Sequence, residues 1–256
     1  MKILFTVCGR AGSKGVKNKN LRNFCGLPLP HYTLSAIDVY LREGAGGRED
    51  ACDIVANSDS EDLLALIAQS PLRKVAQIRR VPELSGDAVG KLFVVRDCLL
   101  RMEQEGGGPY DLVCDLDLTS PLRTAGDIRA LVETMRGGAF DAVFSVTEAR
   151  RNPWFNMVQR EEGGGYGRVL ASRFQSRQEA PELFDMNASM YAFRPDFLRT
   201  ADSLFDGFCG IVRMRDTGIL DIDHEGDLEI MQAVAWYLYE TDLAYAAVRD
   251  NIRSPR

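Results

Sequence analysis

Positive charge is crowded into a glycine-punctuated segment near the N-terminus, in a chain whose overall charge is negative. Between Val7 and Asn20 lie Gly9, Gly12 and Gly15 together with Arg10, Lys14, Lys17 and Lys19, and no Asp or Glu occurs before Asp38. Glycines let the backbone turn tightly and bring N–H groups close to a guest, while fixed cations beside them neutralise its charge. A polyphosphate suits that pattern. Two familiar phosphate motifs are excluded by spacing. A P-loop requires Gly-x4-Gly-Lys-Ser/Thr, whereas Gly9 is followed by Ser13 and Lys14 with no glycine before the lysine, and Gly-x-Gly-x-x-Gly also fails. The alternative is a solvated basic loop with no guest.

Negative charge is gathered near the other end of the chain. Leu220-Asp-Ile-Asp-His-Glu-Gly-Asp-Leu228 places Asp221, Asp223, Glu225 and Asp227 around Gly226. Asp221 and Asp223 alternate about Ile222, so in extended backbone their carboxylates face one side, as a hard cation requires. An EF-hand is excluded, because its final ligand position would be Gln232 rather than a bidentate glutamate. The alternative is an acidic cap on an apolar helix expected to run to about Leu243, a role that suits Asp227. The two histidines, His31 and His224, match no catalytic role, so a histidine general base is not expected.

Elements that would position these groups follow from hydrophobic periodicity. Ile3 to Val7 reads as a buried first strand, so the basic loop starts where that strand ends, the place at which open α/β sheets bind ligands. Strands are expected at Asp53–Asn57, Lys74–Arg79, Leu112–Leu116, Asp141–Val146 and Asn187–Phe193. Helices are expected at Tyr32–Leu41, after the Ser58–Asp62 cluster, at Lys91–Gln104 and from Thr124 to about Met135. Alternation of this kind implies an α/β fold with a mostly parallel central sheet. From Glu148 to Met186 the alternation lapses, and Gly163-Gly-Gly165 marks a hairpin tip. Trp154 and Phe155 in that stretch suit either an interface or a core.

The 256 residues, 45% of them apolar, are enough for one domain with its own core, here taken as residues 1–256. A net charge of −6 argues against nucleic-acid and membrane-surface partners. Six cysteines without a Cys-x-x-Cys pair point to reduced, mostly buried thiols rather than zinc or a disulfide framework. With no transmembrane-length apolar run and no signal-peptide pattern, a cytoplasmic protein is expected.

Three local words carry a family resemblance: Arg10-x-Gly-Ser-Lys-Gly-x-x-x-Lys19-Asn20, Thr119-Ser-Pro-Leu-Arg123 and Asp221-Ile-Asp223. Through them the chain resembles the CMP-sialic acid synthetases, or acylneuraminate cytidylyltransferases, with Gly9 where that family usually has alanine. Arg151-Asn-Pro153 and Asp185-Met-Asn-Ala-Ser-x-Tyr are similar to the legionaminic acid branch. The resemblance implies a Rossmann-like nucleotidyltransferase fold that transfers CMP from CTP to a nonulosonic acid such as legionaminic or N-acetylneuraminic acid. A 3-deoxy-octulosonate or other sugar nucleotidyltransferase is the alternative. It further implies that Arg10, Gly12, Ser13, Lys19, Asn20, Arg80 and Asp87 lie at the nucleotide, and that Asp221 and Asp223 carry Mg2+. Asp117, where glutamine is common, and Arg177, Gln178 and Asn187 match positions near the sugar. Arg10, Lys19, Asp221 and Asp223 would be catalytic. Residues 148–186 would form an inserted lobe that packs against a second subunit, giving a homodimer.

Overall fold

In the structure, a computed structural model, residues 1–12, 15–44, 51–86, 89–174, 176–217, 222 and 224–255 are described. The first strand, β1 (Lys2–Cys8), leads through the basic segment into a small hairpin, β2 (Asn23–Phe24) and β3 (Leu27–Pro28), and then helix α1 (Leu29–Glu43). Crossover units follow: β4 (Ala51–Ser58), α2 (Glu61–Ala68), β5 (Ala76–Arg79), α3 (Lys91–Gln104), β6 (Leu112–Leu116), α4 (Ala125–Gly137) and β7 (Ala142–Glu148). A second hairpin, β8 (Val158–Arg160) and β9 (Tyr166–Arg168), precedes β10 (Phe184–Phe193), α5 (Pro195–Thr200), β11 (Cys209–Arg213), α6 (Glu225–Thr241) and α7 (Leu243–Arg253).

Among the described residues the main sheet has seven strands in the order β11-β7-β10-β6-β1-β4-β5. Pairing is parallel except where β10 meets β6 and β7, so six strands deliver their C-terminal ends, and β10 its N-terminal end, to one edge. Period-2 alternation splits the core between the two faces of the sheet. Ile3, Phe5 and Val7 join one cluster with α1, α4, α6 and α7, while Leu4 joins the other with α3 and α5. A strand covered on both faces must be apolar at nearly every position, which is why β1 reads as an unbroken run.

Several helix starts carry side-chain caps. Ser60 accepts the Leu63 N–H at α2, and Thr124 and Asp127 form a reciprocal capping box at α4. At α6 the expected cap residue is corrected by one turn: His224 holds the cap position, and Asp227 sits inside the helix, its carboxylate accepting the His224 N–H at 2.7 Å. The expected run to Leu243 also breaks earlier, because Asp242 turns its carboxylate to the Ala244 N–H at 3.0 Å and starts α7. Trp154 and Phe155 are half-buried. The six cysteines are free thiols, three of them buried. No helix among the described residues is long and apolar enough to cross a membrane.

Arg123 staples three of these elements together at the sheet edge. Its side chain is buried, 1% exposed, and works as an internal clamp. Nη2 donates to the backbone carbonyls of Asp117 (2.7 Å), Ser120 (2.9 Å) and Ser189 (3.1 Å), Nε donates to Ser189 Oγ (3.2 Å) and Nη1 to Thr33 Oγ1 (3.2 Å). Burial pulls the guanidinium down to about 10, against the pull of Asp117, Asp127 and Asp115, so it stays charged at neutral pH. Replacing Arg123 by Met keeps the bulk and strands several buried acceptors, which should cost on the order of 3 kcal/mol or more. A urea midpoint within about 0.5 kcal/mol of wild type would show that the clamp is dispensable.

Candidate active site

The basic loop leaves β1 under tight local constraint. The Gly9 N–H donates to Asn57 O at 3.2 Å and the Ala11 N–H to Asp59 Oδ1 at 2.7 Å. Gly12 (φ 73°) and Asn18 (φ 53°) adopt left-handed backbone that the reversal requires. A 3-10 turn, Lys19–Leu21, then brings Asn20 inward, where it is buried and its Nδ2 donates to Arg10 O at 3.1 Å. Arg10 and Lys19, both half-buried, thus flank a loop whose base is pinned by Asn20. Arg80 lies at the end of β5, buried, with Nε on Asn57 Oδ1 (2.7 Å) and Nη2 on Asn57 O (2.9 Å). Asn57 also donates to Asp97 Oδ2 at 3.1 Å, so Arg80 braces the end of β4, whose Asn57 carbonyl takes the Gly9 N–H of the loop.

At the exit of β6 a charged cluster occupies the same edge. Asp117 Oδ1 accepts the Thr119 N–H (2.8 Å) and hydroxyl (2.7 Å), and Oδ2 accepts Lys91 Nζ at 2.6 Å. Lys91 Nζ also stands 3.1 Å from Asp115 Oδ2 and 5.1 Å from the ring centroid of Tyr191. Asp115 is fully buried, and its other oxygen takes the Thr6 hydroxyl at 2.6 Å. Burial alone would lower the Lys91 ammonium, but Asp115 and Asp117 outweigh it and hold it well above its ordinary value. Burial would likewise raise Asp117, yet Lys91 and the Thr119 hydrogen bonds hold it well below the usual carboxylate range. Beside this cluster β10 carries a bulge between Met186 and Tyr191, with Ala188 in left-handed backbone (φ 52°). The bulge turns Asn187 inward, where Oδ1 accepts from Ser145 Oγ (2.6 Å) and Nδ2 approaches Met214 Sδ (3.3 Å).

The flanks of the acidic turn are tied to the rest of the chain. Ile222 is fully buried in the core, and Glu225, the first residue of α6, makes a two-pronged ion pair with Arg22 at 2.8 and 3.0 Å. The Cys25 N–H adds a bond to Gln232 Oε1 at 2.9 Å. These contacts tie the chain just after the basic loop to the helix just after the Asp-x-Asp pair. Ser13, Asp87, Asp221, Asp223 and the Arg177 side chain lie outside the described residues. Among the described residues no cluster of three or more metal-ligating side chains occurs; the carboxylates of Asp221 and Asp223 are hard oxygen donors of the kind Mg2+ prefers.

The structure brings Arg10, Gly12, Lys19, Asn20, Arg80, Asp117 and Asn187 to the strand-end edge. Gln178 stands apart: it is exposed and lines a groove with Arg151, Asn152 and Pro181, whereas Asn187 lines a separate small cavity with Thr147, Met214 and Met231. Sequence reasoning missed Lys91, Asp115 and the Arg22–Glu225 pair. Asp115-Leu-Asp117 repeats the spacing of Asp221-Ile-Asp223 and offered a signal, while Lys91 looked like any first residue of a helix.

Gly9 gives a direct test of how tightly the loop is seated. A methyl there would stand 2.5 Å from Leu63 Cδ2 and 3.0 Å from both Asn20 Nδ2 and Leu118 Cδ1. The alanine usual at this position is therefore not a free exchange in this chain. Gly9→Ala should cost about 1–3 kcal/mol by overpacking. Leu63→Val, which removes the clashing atom, should recover part of that loss, and strictly additive costs in thermal or urea melts of the double variant would count against the steric account.

No protein-family model matches the chain. It is 35% identical over 236 residues to the post-translational flagellin modification protein B of Campylobacter coli, covering 90% of this chain and 94% of that protein. The CMP-N,N'-diacetyllegionaminic acid synthase of Campylobacter jejuni is also 35% identical, over 234 residues, with 90% and 94% covered. An N-acylneuraminate cytidylyltransferase of Streptococcus agalactiae is 26% identical over 227 residues, covering 89% of this chain and 52% of that one. Among solved structures, a CMP:2-keto-3-deoxy-manno-octonic acid synthetase complexed with CTP shares the fold with a TM-score of 0.61 at 15% identity, covering 93% and 99% of the two chains. A 4-diphosphocytidyl-2C-methyl-D-erythritol synthase from Anaerococcus prevotii gives 0.59 at 14% identity, covering 90% and 94%. With relatives this similar along nearly its whole length, the chain belongs to the acylneuraminate cytidylyltransferases, the CMP-sialic acid synthetase family of nucleotidyltransferases.

Proposed function

We propose that the chain transfers CMP from CTP to a sialic-acid-like nonulosonic acid, with legionaminic acid preferred to N-acetylneuraminic acid, and releases pyrophosphate. The observation that carries this reading is the Arg22–Glu225 clasp, which ties the chain just after the basic loop to the helix just after the acidic turn. Phosphates need the first and a divalent cation the second, while Asp117 at the exit of β6 offers an acceptor to a hydroxyl-rich sugar.

In this scheme Arg10, Ser13 and Lys19 hold the triphosphate, and Asn20 and Arg80 keep the loop and its supporting strand in register. Asp87 completes the nucleotide site. A sugar oxygen attacks the α-phosphorus as the bond to the β-phosphate breaks, so the residues mainly position and stabilise charge. Mg2+ held by Asp221 and Asp223 would supply charge neutralisation and polarise the reacting oxygens. Arg177 offers the sugar carboxylate a bidentate partner, and Asp117, ionised, accepts from a hydroxyl or an amide. Asn187 contributes to the pocket floor, whereas Gln178 lines a separate groove. The reading also includes a homodimer built through residues 148–186, consistent with the exposed Met157, Val158 and Tyr166 on the hairpin segment, and action in the cytoplasm.

Metal dependence follows from the carboxylate pair. Asp221→Asn and Asp223→Asn should each abolish pyrophosphate release while leaving the circular dichroism spectrum and melting behaviour near wild type, and EDTA should stop the native protein. Full turnover of both variants would overturn the assignment.

Acceptor choice is tested by kcat/KM at fixed CTP for legionaminic acid, N-acetylneuraminic acid, the deaminated nonulosonate and 3-deoxy-octulosonate. A pocket built to hydrogen-bond one substituent rejects an analogue lacking it. Legionaminic acid should lead, and CTP should be chosen over UTP, ATP and GTP. A clear lead for N-acetylneuraminic acid would remove the branch assignment, and a lead for 3-deoxy-octulosonate would remove the proposed acceptor class.

A further inference from the structure

Two carboxylates two residues apart on β6 and its exit share a single ammonium group. Asp115 is fully buried, and its Oδ2 makes no hydrogen bond among the described residues, leaving the 3.1 Å ion pair with Lys91 as that oxygen's compensation. Like charges this close destabilise each other's ionised forms, and the shared ammonium offsets that repulsion. With Lys91 in place the trio carries two negative charges and one positive. Its surroundings add Tyr191 from β10, Thr6 and the Cys8 thiol from β1, and Arg123 from the loop before α4.

The acceptor inventory of Asp117 is nearly full. An ionised carboxylate offers about four lone-pair positions. Thr119 takes two on Oδ1 and Lys91 one on Oδ2, which leaves one on the oxygen nearest the ammonium. The Lys91 side chain is 32% exposed and that of Asp117 19%, so this pair, unlike Asp115, reaches the surface of the strand-end edge. A donor arriving there meets a pure acceptor, and the net negative charge of the trio turns a carboxylate away.

We propose that Lys91 is a positioning residue for the acceptor sugar: it holds Asp117 ionised and fixed, so that the one open lone pair receives a hydroxyl or acylamido N–H and the sugar's own carboxylate is oriented away. This rests on the reading of the chain as a nonulosonate cytidylyltransferase and adds the residue that sets the acceptor's orientation. The direction with pH follows from the charges. Asp117 is held below the usual carboxylate range in the native trio, so acceptor recognition persists as pH falls through that range. Removing the ammonium leaves the burial of Asp117 uncompensated, so its carboxyl rises, and recognition is then lost as pH falls through the raised value.

The experiment compares wild type with Lys91→Met, Lys91→Arg and the double variant Lys91→Met/Asp115→Asn, using legionaminic acid at saturating CTP from about pH 5 to about pH 9. Lys91→Met should raise the acceptor KM about tenfold or more, leave the KM for CTP within about twofold, and give kcat/KM for the acceptor an acid limb that wild type lacks. Lys91→Arg keeps the charge and should show no such limb. The double variant removes the repulsion as well as the cation, so its limb should lie at lower pH than that of Lys91→Met. A purely structural lysine would not produce that pattern, and should Lys91→Met fail to fold, the other two variants still decide. A Lys91→Met profile superimposable on wild type, equal rises in both KM values, or a limb at the same or higher pH in the double variant would overturn the proposal. If wild type itself does not turn over the nonulosonate, the underlying functional reading fails instead.

Discussion

Parallel strands cannot be joined by tight turns, and that constraint organises everything else in this chain. Each crossover must run back along the sheet, usually as a helix, before the next strand can start, so strand C-termini collect at one edge and the helices cover the faces. Residues far apart in sequence thereby gather at one edge: the exits of β1, β5 and β6 carry Arg10, Arg80 and Asp117 there. The single antiparallel strand, β10, brings its N-terminal end to the same edge, and a bulge there aims Asn187 at Ser145.

Charge inside this edge is expensive and is retained in satisfied groups. Arg123 is nearly inaccessible yet divides its donors among backbone carbonyls and hydroxyls, so its desolvation is offset by hydrogen bonds to groups that would otherwise be stranded. Asp115 is compensated by Thr6 on one oxygen and by Lys91 on the other. Buried pairs of this kind add little net stability compared with apolar packing, but they are sensitive to geometry and so hold a site in one arrangement.

Much of the fold was legible because period and punctuation agreed. α3 and β6 occupy the expected spans, and the Gly163-Gly-Gly165 tip closes the β8–β9 hairpin with Gly163 and Gly164 at positive φ. Other features left no trace in a single sequence. Alternation marks a strand but not its direction, so the reversed sense of β10 was invisible, and Cys209–Arg213 was too short and glycine-interrupted to stand out as β11. The site divided in the same way. Glycines and cations advertised the basic loop, whereas the role of Lys91 depends on two carboxylates that only the fold places beside it.

The Arg22–Glu225 clasp joins segments separated by about two hundred residues, yet both of its side chains are largely in water, 40% and 54% exposed. Such pairs contribute about 0–1 kcal/mol and weaken as salt is added. That is comparable with thermal energy, so the clasp guides the two segments into register without sealing them. So soft a fastening leaves the Cys25–Gln232 bond and the buried Ile222 to keep the two segments in place when salt loosens it.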